Sequence, residues 1–154
     1  RTTTLGEPVI RIKEQRTIPM TQQDAFAFIA DFTNVVDWDP GITASEKVGN
    51  APVGVGTEFN VVSNFAGRSL PLVYVVEEWG VPERAVLFTT TSRFDGRDTI
   101  TFRPTDAGTE IDYVAEFRFK GLMRLVEPFL KGAFSKIGRD AMNGIVDAVG
   151  ARTS

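Results

Sequence analysis

Glu14 and Arg16 stand two residues apart in a stretch whose alternate positions are otherwise isoleucine: Ile10, Ile12 and Ile18. In an extended strand, alternate residues share one face, so the spacing sets two charges on a face otherwise suited to burial. A charge taken out of water must be paired or change its protonation. The chemistry this invites is an arginine that orients a ligand's carbonyl or carboxylate, or stabilises an enolate, with a carboxylate beside it. Tyr74 and Tyr113, the chain's two tyrosines, fall on inward alternations further along and supply hydrogen-bond partners. Arg16, Glu14, Tyr74 and Tyr113 therefore form the candidate catalytic set. Glu78, two residues after Val76, and Asp98, two before Ile100, continue the same faces and could converge with them near a pocket mouth. The competing reading puts Glu14 and Arg16 at a rim where the strand emerges into water, Glu78 and Asp98 at hairpin ends, and the tyrosines in an ordinary core.

The rest of the composition narrows the chemistry. There is no cysteine and no histidine, which removes thiol nucleophiles, Ser-His-Asp hydrolases and the commonest metal ligand. Acid-base work would fall to carboxylates and tyrosines whose pKa burial has shifted. The missing histidine weakens the case for an enzyme. The acidic residues lack metal-loop spacing, so no metal or other cofactor is expected. Gly54 and Gly56 do not open a helix, which argues against a phosphate loop. A net charge of -3 offers nucleic acid no general attraction. No apolar run approaches the ~20 residues that span a bilayer, and the N-terminus lacks a basic-then-apolar segment, so a cytoplasmic location is the default expectation.

The elements that would position these groups follow from periodicity. Residues 9–18 alternate as a strand closed by Pro19. Thr21 caps a helix with apolar Ala25, Phe26, Phe28 and Ile29, and a second short helix from Asp31 or Thr33 must stop near Trp38, ahead of Pro40. From Ser45 to Phe119 the chain reads as an antiparallel meander: strands at 57–63, 70–79, 85–92, 98–104 and 109–119, with bends at GVPER, FDG and TDAG. Residues 122–149 change period to a long amphipathic helix with Leu122, Val126, Phe129, Leu130, Ala133, Ile137 and Ala141 on one face. Pro128 would start or kink it, and Gly138 and Gly144 weaken its far half. Met142 and Val146 fall off that face. With no repeat or linker, residues 1–154 form one domain with its core at about 8–149.

Alternation then assigns an inward surface. Phe59 and Val61, Tyr74 and Val76, Phe88 and Thr90, and Ile100 and Phe102 point in, as do Tyr113, Ala115 and Phe117 of the last strand, facing Leu130, Phe134 and Ile137 of the final helix. Such a lining suits an apolar ligand held by one or two hydrogen bonds.

A strand, two short helices, six further strands and a long final helix is the order of the helix-grip fold. The stretch RTIPMTQQDAFAFIADFTNVVDWDPGI, with Ile29-Ala30-Asp31 and Trp38-Asp39-Pro40, resembles the opening of the START-like, or SRPBCC, superfamily, particularly its polyketide cyclase/dehydrase-like bacterial members. VGVGTEF, YVVEEWGVPER and DAGTEIDYVAEF are similar to later landmarks of that family. The resemblance implies an α+β helix-grip fold: a curved seven-stranded antiparallel sheet around a long C-terminal helix, with a cavity between them for lipids, sterols or polyketides. In that setting Trp38 covers the end of the sheet, and Asp37 and Asp39 cap or bend the turn.

Three functions follow as expectations: a binding protein for an apolar or amphipathic small molecule; a metal-free cyclase, aromatase or dehydratase; or a partner-binding regulator on the same scaffold. The expected partner is an apolar small molecule, with no nucleic acid and no stable membrane insertion, and the expected state is a monomer or weak homodimer.

Overall fold

Strand β1 (Ile10–Ile18) leads into helix α1 (Gln22–Ile29), a 3-10 turn (Phe32–Asn34) and the short α2 (Val35–Trp38). The meander follows as β2 (Ile42–Lys47), β3 (Glu58–Phe65), β4 (Arg68–Gly80), β5 (Arg84–Thr90), β6 (Phe94–Thr105) and β7 (Gly108–Phe119). A second 3-10 turn (Gly121–Leu125) precedes the long α3 (Glu127–Thr153). The protein is seen here as a computed structural model that describes residues 10–65 and 67–153. Val9, read above as the start of the first strand, lies outside the described residues.

Local chemistry sets the early boundaries. The Asp24 N–H donates to the Thr21 hydroxyl at 3.1 Å, capping α1. Asp39, ahead of Pro40, takes φ -101 and ψ 108, and that extended residue ends α2. Pro128 sits in the first turn of α3, where its missing N–H costs nothing, so it starts the helix.

The strands form one antiparallel sheet in the order β1-β7-β6-β5-β4-β3-β2. Its inner face is apolar: Ile18, Phe59, Val61, Val76, Leu87, Ile100, Phe102 and Ile111 are at most 2% exposed. Phe26 of α1 docks edge-on against Trp79 and Phe102, with centroids 4.8 and 5.2 Å away. The outer face carries cross-strand polar pairs, among them Arg11–Glu116 at 2.7 Å and Gln15–Asp112 at 2.7 Å. The result is a seven-stranded helix-grip α+β fold, as the element order implies.

Several sequence expectations need correction. The β4–β5 register slips between Val76 and Glu78, so Val76 opposes Leu87 while Glu78 opposes Val86. This β-bulge inverts the alternation beyond it. Trp79, not Glu78, then packs on the core, and Glu78 pairs with Arg84 at 3.0 Å. On β5, Ala85 and Leu87 face the core, while Phe88 and Thr90 lie on the outer face with Arg97 and Asp95.

The FDG stretch is not a bend. Phe94, Asp95 and Gly96 already belong to β6, and the turn lies just before them, where the Thr91 hydroxyl accepts the Arg93 and Phe94 N–H groups.

The final helix also has a different buried face. Residues 121–125 form a 3-10 turn, so a helical register extrapolated from Leu122 fails. Leu122 and Phe129 are exposed, whereas Met142 is buried together with Ile145 and Val149. Gly138 and Gly144 are contact points rather than weak spots. A Cβ on Gly138 would meet Ile12 Cγ2 at 2.6 Å, and one on Gly144 would meet the Trp38 carbonyl oxygen at 1.9 Å.

Candidate functional site

Between the inner face and α3 lies a cavity of about 550 Å³. Its long direction follows β7: Tyr113, Ala115, Phe117 and Phe119 all line it, and alternate residues of a strand step ~6.6 Å along its axis. Each neighbouring element repeats the gradient. Tyr74, Leu72 and Leu70 line the wall from β4, Asp98 and Phe94 from β6, and Met142, Gly138, Phe134 and Leu130 from α3. The Tyr74 and Asp98 end is closed, with these residues 9% and 6% exposed. Toward the other end Phe134 stacks between Phe117, at 4.6 Å, and Phe65, at 5.4 Å. Thr91, Ser92 and Arg93 complete that open end.

The closed end gathers the carboxyls and the tyrosine hydroxyls. The Tyr113 hydroxyl donates to Asp98 Oδ2 at 2.7 Å. Burial pushes the Asp98 carboxyl up to about 7; the Tyr113 bond opposes this and the nearby Asp39 charge adds to it. Asp39, on the turn after α2, accepts the Gly41 N–H at 2.9 Å. Burial raises its carboxyl to about 6, the Gly41 bond works against that, and Asp140 of α3 adds repulsion. Burial also raises both tyrosines well above their ordinary value, with the Asp98 charge adding to the effect, so they remain protonated donors. Near neutral pH this end therefore offers two carboxyls able to give or take a proton beside two hydroxyls.

The structure distributes the predicted residues as follows. Tyr74, Tyr113, Ala115, Phe117, Leu130, Phe134, Ile137 and Glu14 line the cavity. Phe59, Val61, Val76, Ile100 and Phe102 belong to the packed core. Phe88 and Thr90 are on the opposite face of the sheet, because β5 alternates in the other phase and turns Ala85 and Leu87 to the core. Arg16 bonds Glu14 at 3.1 Å and Asn143 of α3 at 3.1 Å, tying β1 to the helix, and is not part of the cavity wall. Asp98 is on the wall, as its alternation with Ile100 suggests. Asp37 is exposed and Trp38 is buried at 2%, its ring 6.1 Å from Tyr113.

Asp39 is the residue sequence reasoning missed. Read as a turn former, it proves to be half-buried and part of the cavity wall. The reason is long-range: Gly144 lets α3 approach the Trp38 carbonyl, and that contact folds the corner over the cavity's end. A glycine in the middle of a helix was the signal available.

A family model described as polyketide cyclase/dehydrase and lipid transport matches residues 9–150. The chain belongs to this family. It is part of the SRPBCC group whose opening phrases it resembles. Among solved structures, TTHA0849 of Thermus thermophilus superimposes with a TM-score of 0.79 at 17% identity, over 94% of this chain and 99% of that one. The Zhui aromatase/cyclase of Streptomyces sp. R1128 gives 0.80 at 10% identity, over 96% and 97%. The di-domain aromatase/cyclase StfQ of the steffimycin pathway gives 0.73 at 11% identity, over 94% of this chain and 52% of StfQ. At such identities the likeness is one of fold. No curated protein matches the chain significantly. Among the described residues, no helix is long and apolar enough to cross a membrane.

Proposed function

We propose that the protein binds an apolar or amphipathic small molecule, of lipid, sterol or polyketide-like character, in the cavity under α3. The carrying observation is a cavity of about 550 Å³ walled largely by aliphatic and aromatic side chains, with Asp39, Asp98, Tyr74 and Tyr113 gathered at the closed end. That volume is in the range of small-molecule sites, and a few convergent polar groups in an apolar lining are what such sites use for orientation. The family's description, which joins cyclases with lipid transport, supports the same reading.

A second reading, a cyclase or dehydratase, is favoured by one feature: the Asp98–Tyr113 pair. A buried carboxyl that titrates near 7 is suited to general acid-base work, and no metal is required for it. Tyr113→Phe distinguishes the two. An enzyme loses turnover and keeps binding, whereas a carrier has no turnover to lose.

Ala115→Phe tests the binding reading. Ala115 lines the cavity midway along β7, and a benzyl group there fills the path between its two ends. The neutral dye Nile red should bind the parent saturably with enhanced fluorescence, and the variant at least 10-fold more weakly, while far-UV circular dichroism stays the same. Equal binding by both would remove the cavity as the site.

A further inference from the structure

The closed end of the cavity has an unbalanced charge. Its ionisable wall residues are Asp39 from the turn after α2, Asp98 from β6, Tyr74 from β4, Tyr113 from β7 and Glu14 from β1, with Asp140 of α3 acting on Asp39 from behind. Glu14 has a counter-charge in Arg16, at 3.1 Å. Among the described residues, neither Asp39 nor Asp98 forms an ion pair with a lysine or arginine. The cation of the cavity wall, Arg93, lies in the loop at the open end.

The hydrogen-bonding capacity there is also unspent. Tyr113 has committed its proton to Asp98 Oδ2, and Asp39 Oδ1 accepts from Gly41. The remaining oxygen of each carboxyl and the hydroxyl of Tyr74 have no hydrogen-bond partner among the described residues. Tyr74 is 9% exposed and lines the cavity, so its free hydroxyl can be satisfied only by something inside it. Three unspent oxygens, two of them carboxylic, call for a group rich in N–H donors. An ammonium has three donors, no acceptor and the charge the site lacks.

Resting on the binding reading above, we propose that the ligand is a lipophilic amine whose ammonium group sits among Asp39, Asp98 and Tyr74, with its apolar body running past Ala115 and Phe117 toward Phe134. A fatty acid is the wrong partner. Its carboxylate would set a negative charge beside two carboxyls that have no counter-charge of their own.

The sign of the pH dependence follows from the groups named. The amine is cationic throughout the range of interest, and the carboxyls become anionic as pH rises through about 6 for Asp39 and about 7 for Asp98. Affinity for the amine therefore rises between pH 5.5 and 8. That for a matching alcohol stays nearly level, and that for a fatty acid falls.

Displacement of Nile red from the intact protein by decylamine, decanol and decanoate, each below its aggregation concentration, tests this at both pH values. At pH 8 decylamine should displace the dye at concentrations at least 10-fold lower than decanol, with decanoate the weakest. At pH 5.5 the advantage should shrink to a few-fold, and in Asp39→Asn/Asp98→Asn the ratio of amine to alcohol affinity should collapse toward one at pH 8. Equal displacement by amine and alcohol at pH 8, a decanoate affinity matching the amine's, or a preference that survives the double substitution would each overturn the proposal. In those cases binding itself still stands. A protein that takes up neither Nile red nor any of the three chains removes the binding reading, and this inference with it.

Discussion

Asp98→Asn unfolds at a distinctly higher temperature than the parent at pH 8, and at nearly the same temperature at pH 4. An acid whose pKa is raised in the folded state binds its proton more tightly there than in the unfolded chain. Folding stability is therefore full at low pH and drains away as pH climbs from the ordinary aspartate value toward about 7. A shift of this size is worth roughly 4 kcal/mol once both states are ionised. In a domain of this length that corresponds to a melting-temperature difference on the order of 10 °C. Asparagine removes the buried charge and keeps an oxygen for the Tyr113 hydroxyl, so the gain comes from charge rather than from packing. The outer-face Asp95 does not interfere in this window. Burial works to raise it, but bonds from Lys120, Thr90 and Arg118 hold it down at about 2, and its contribution fades only in stronger acid. Thermal unfolding of parent and variant from pH 4 to 8 checks the point. Parallel curves would mean that Asp98 is solvated rather than sealed in.

Gly144→Ala has the opposite effect, and its new Cβ makes the closest contact of any at the α3 glycines. The new Cβ would lie 1.9 Å from the Trp38 carbonyl oxygen and 3.2 Å from Pro40 Cδ, both part of a backbone corner that cannot swing aside like a side chain. Either α3 lifts from α2 or the corner deforms. Both disturb Asp39, whose carboxyl forms the cavity's end. Overpacking against backbone should cost about 3 kcal/mol or more. Gly132→Ala is the control, because a Cβ there meets nothing within 4 Å. It should stabilise the same helix by about 0.5–1 kcal/mol through propensity alone. Denaturant midpoints of the two variants give the comparison, and a Gly144→Ala protein as stable as Gly132→Ala would contradict the packing described.

How far each part was legible depended on how local its cause is. Strand alternation along β7 gave Tyr113, Ala115 and Phe117 their inward direction correctly, because no bulge interrupts that strand. On β5 the same rule failed in its phase: Ala85 and Leu87 turn to the core and Val86 and Phe88 to the other face, and with apolar residues on both faces alternation alone does not say which is inner. The inversion at Glu78 did come from the β-bulge in β4, a property of two strands in register that one strand's residues do not announce. Glu14 and Arg16 were rightly singled out as charges on a buried-type face. Which of them meets the cavity depended on Asn143, 127 residues away, which draws the guanidinium toward α3. Asp39 was hidden for the same reason: its burial is made by a helix contact at Gly144. The fold was therefore readable from order and period, and the polar end of the cavity was not.

Chemical-shift mapping by NMR with a simple neutral chain, decanol, separates uptake into the cavity from adhesion to exposed apolar residues. Occupancy of the cavity predicts saturable shifts at Tyr113, Ala115, Gly138 and Met142, all of which line it. Shifts confined to the exposed Leu122 and Leu125 of the 3-10 turn and Phe129 at the start of α3 would place the ligand on the surface and contradict uptake into the cavity.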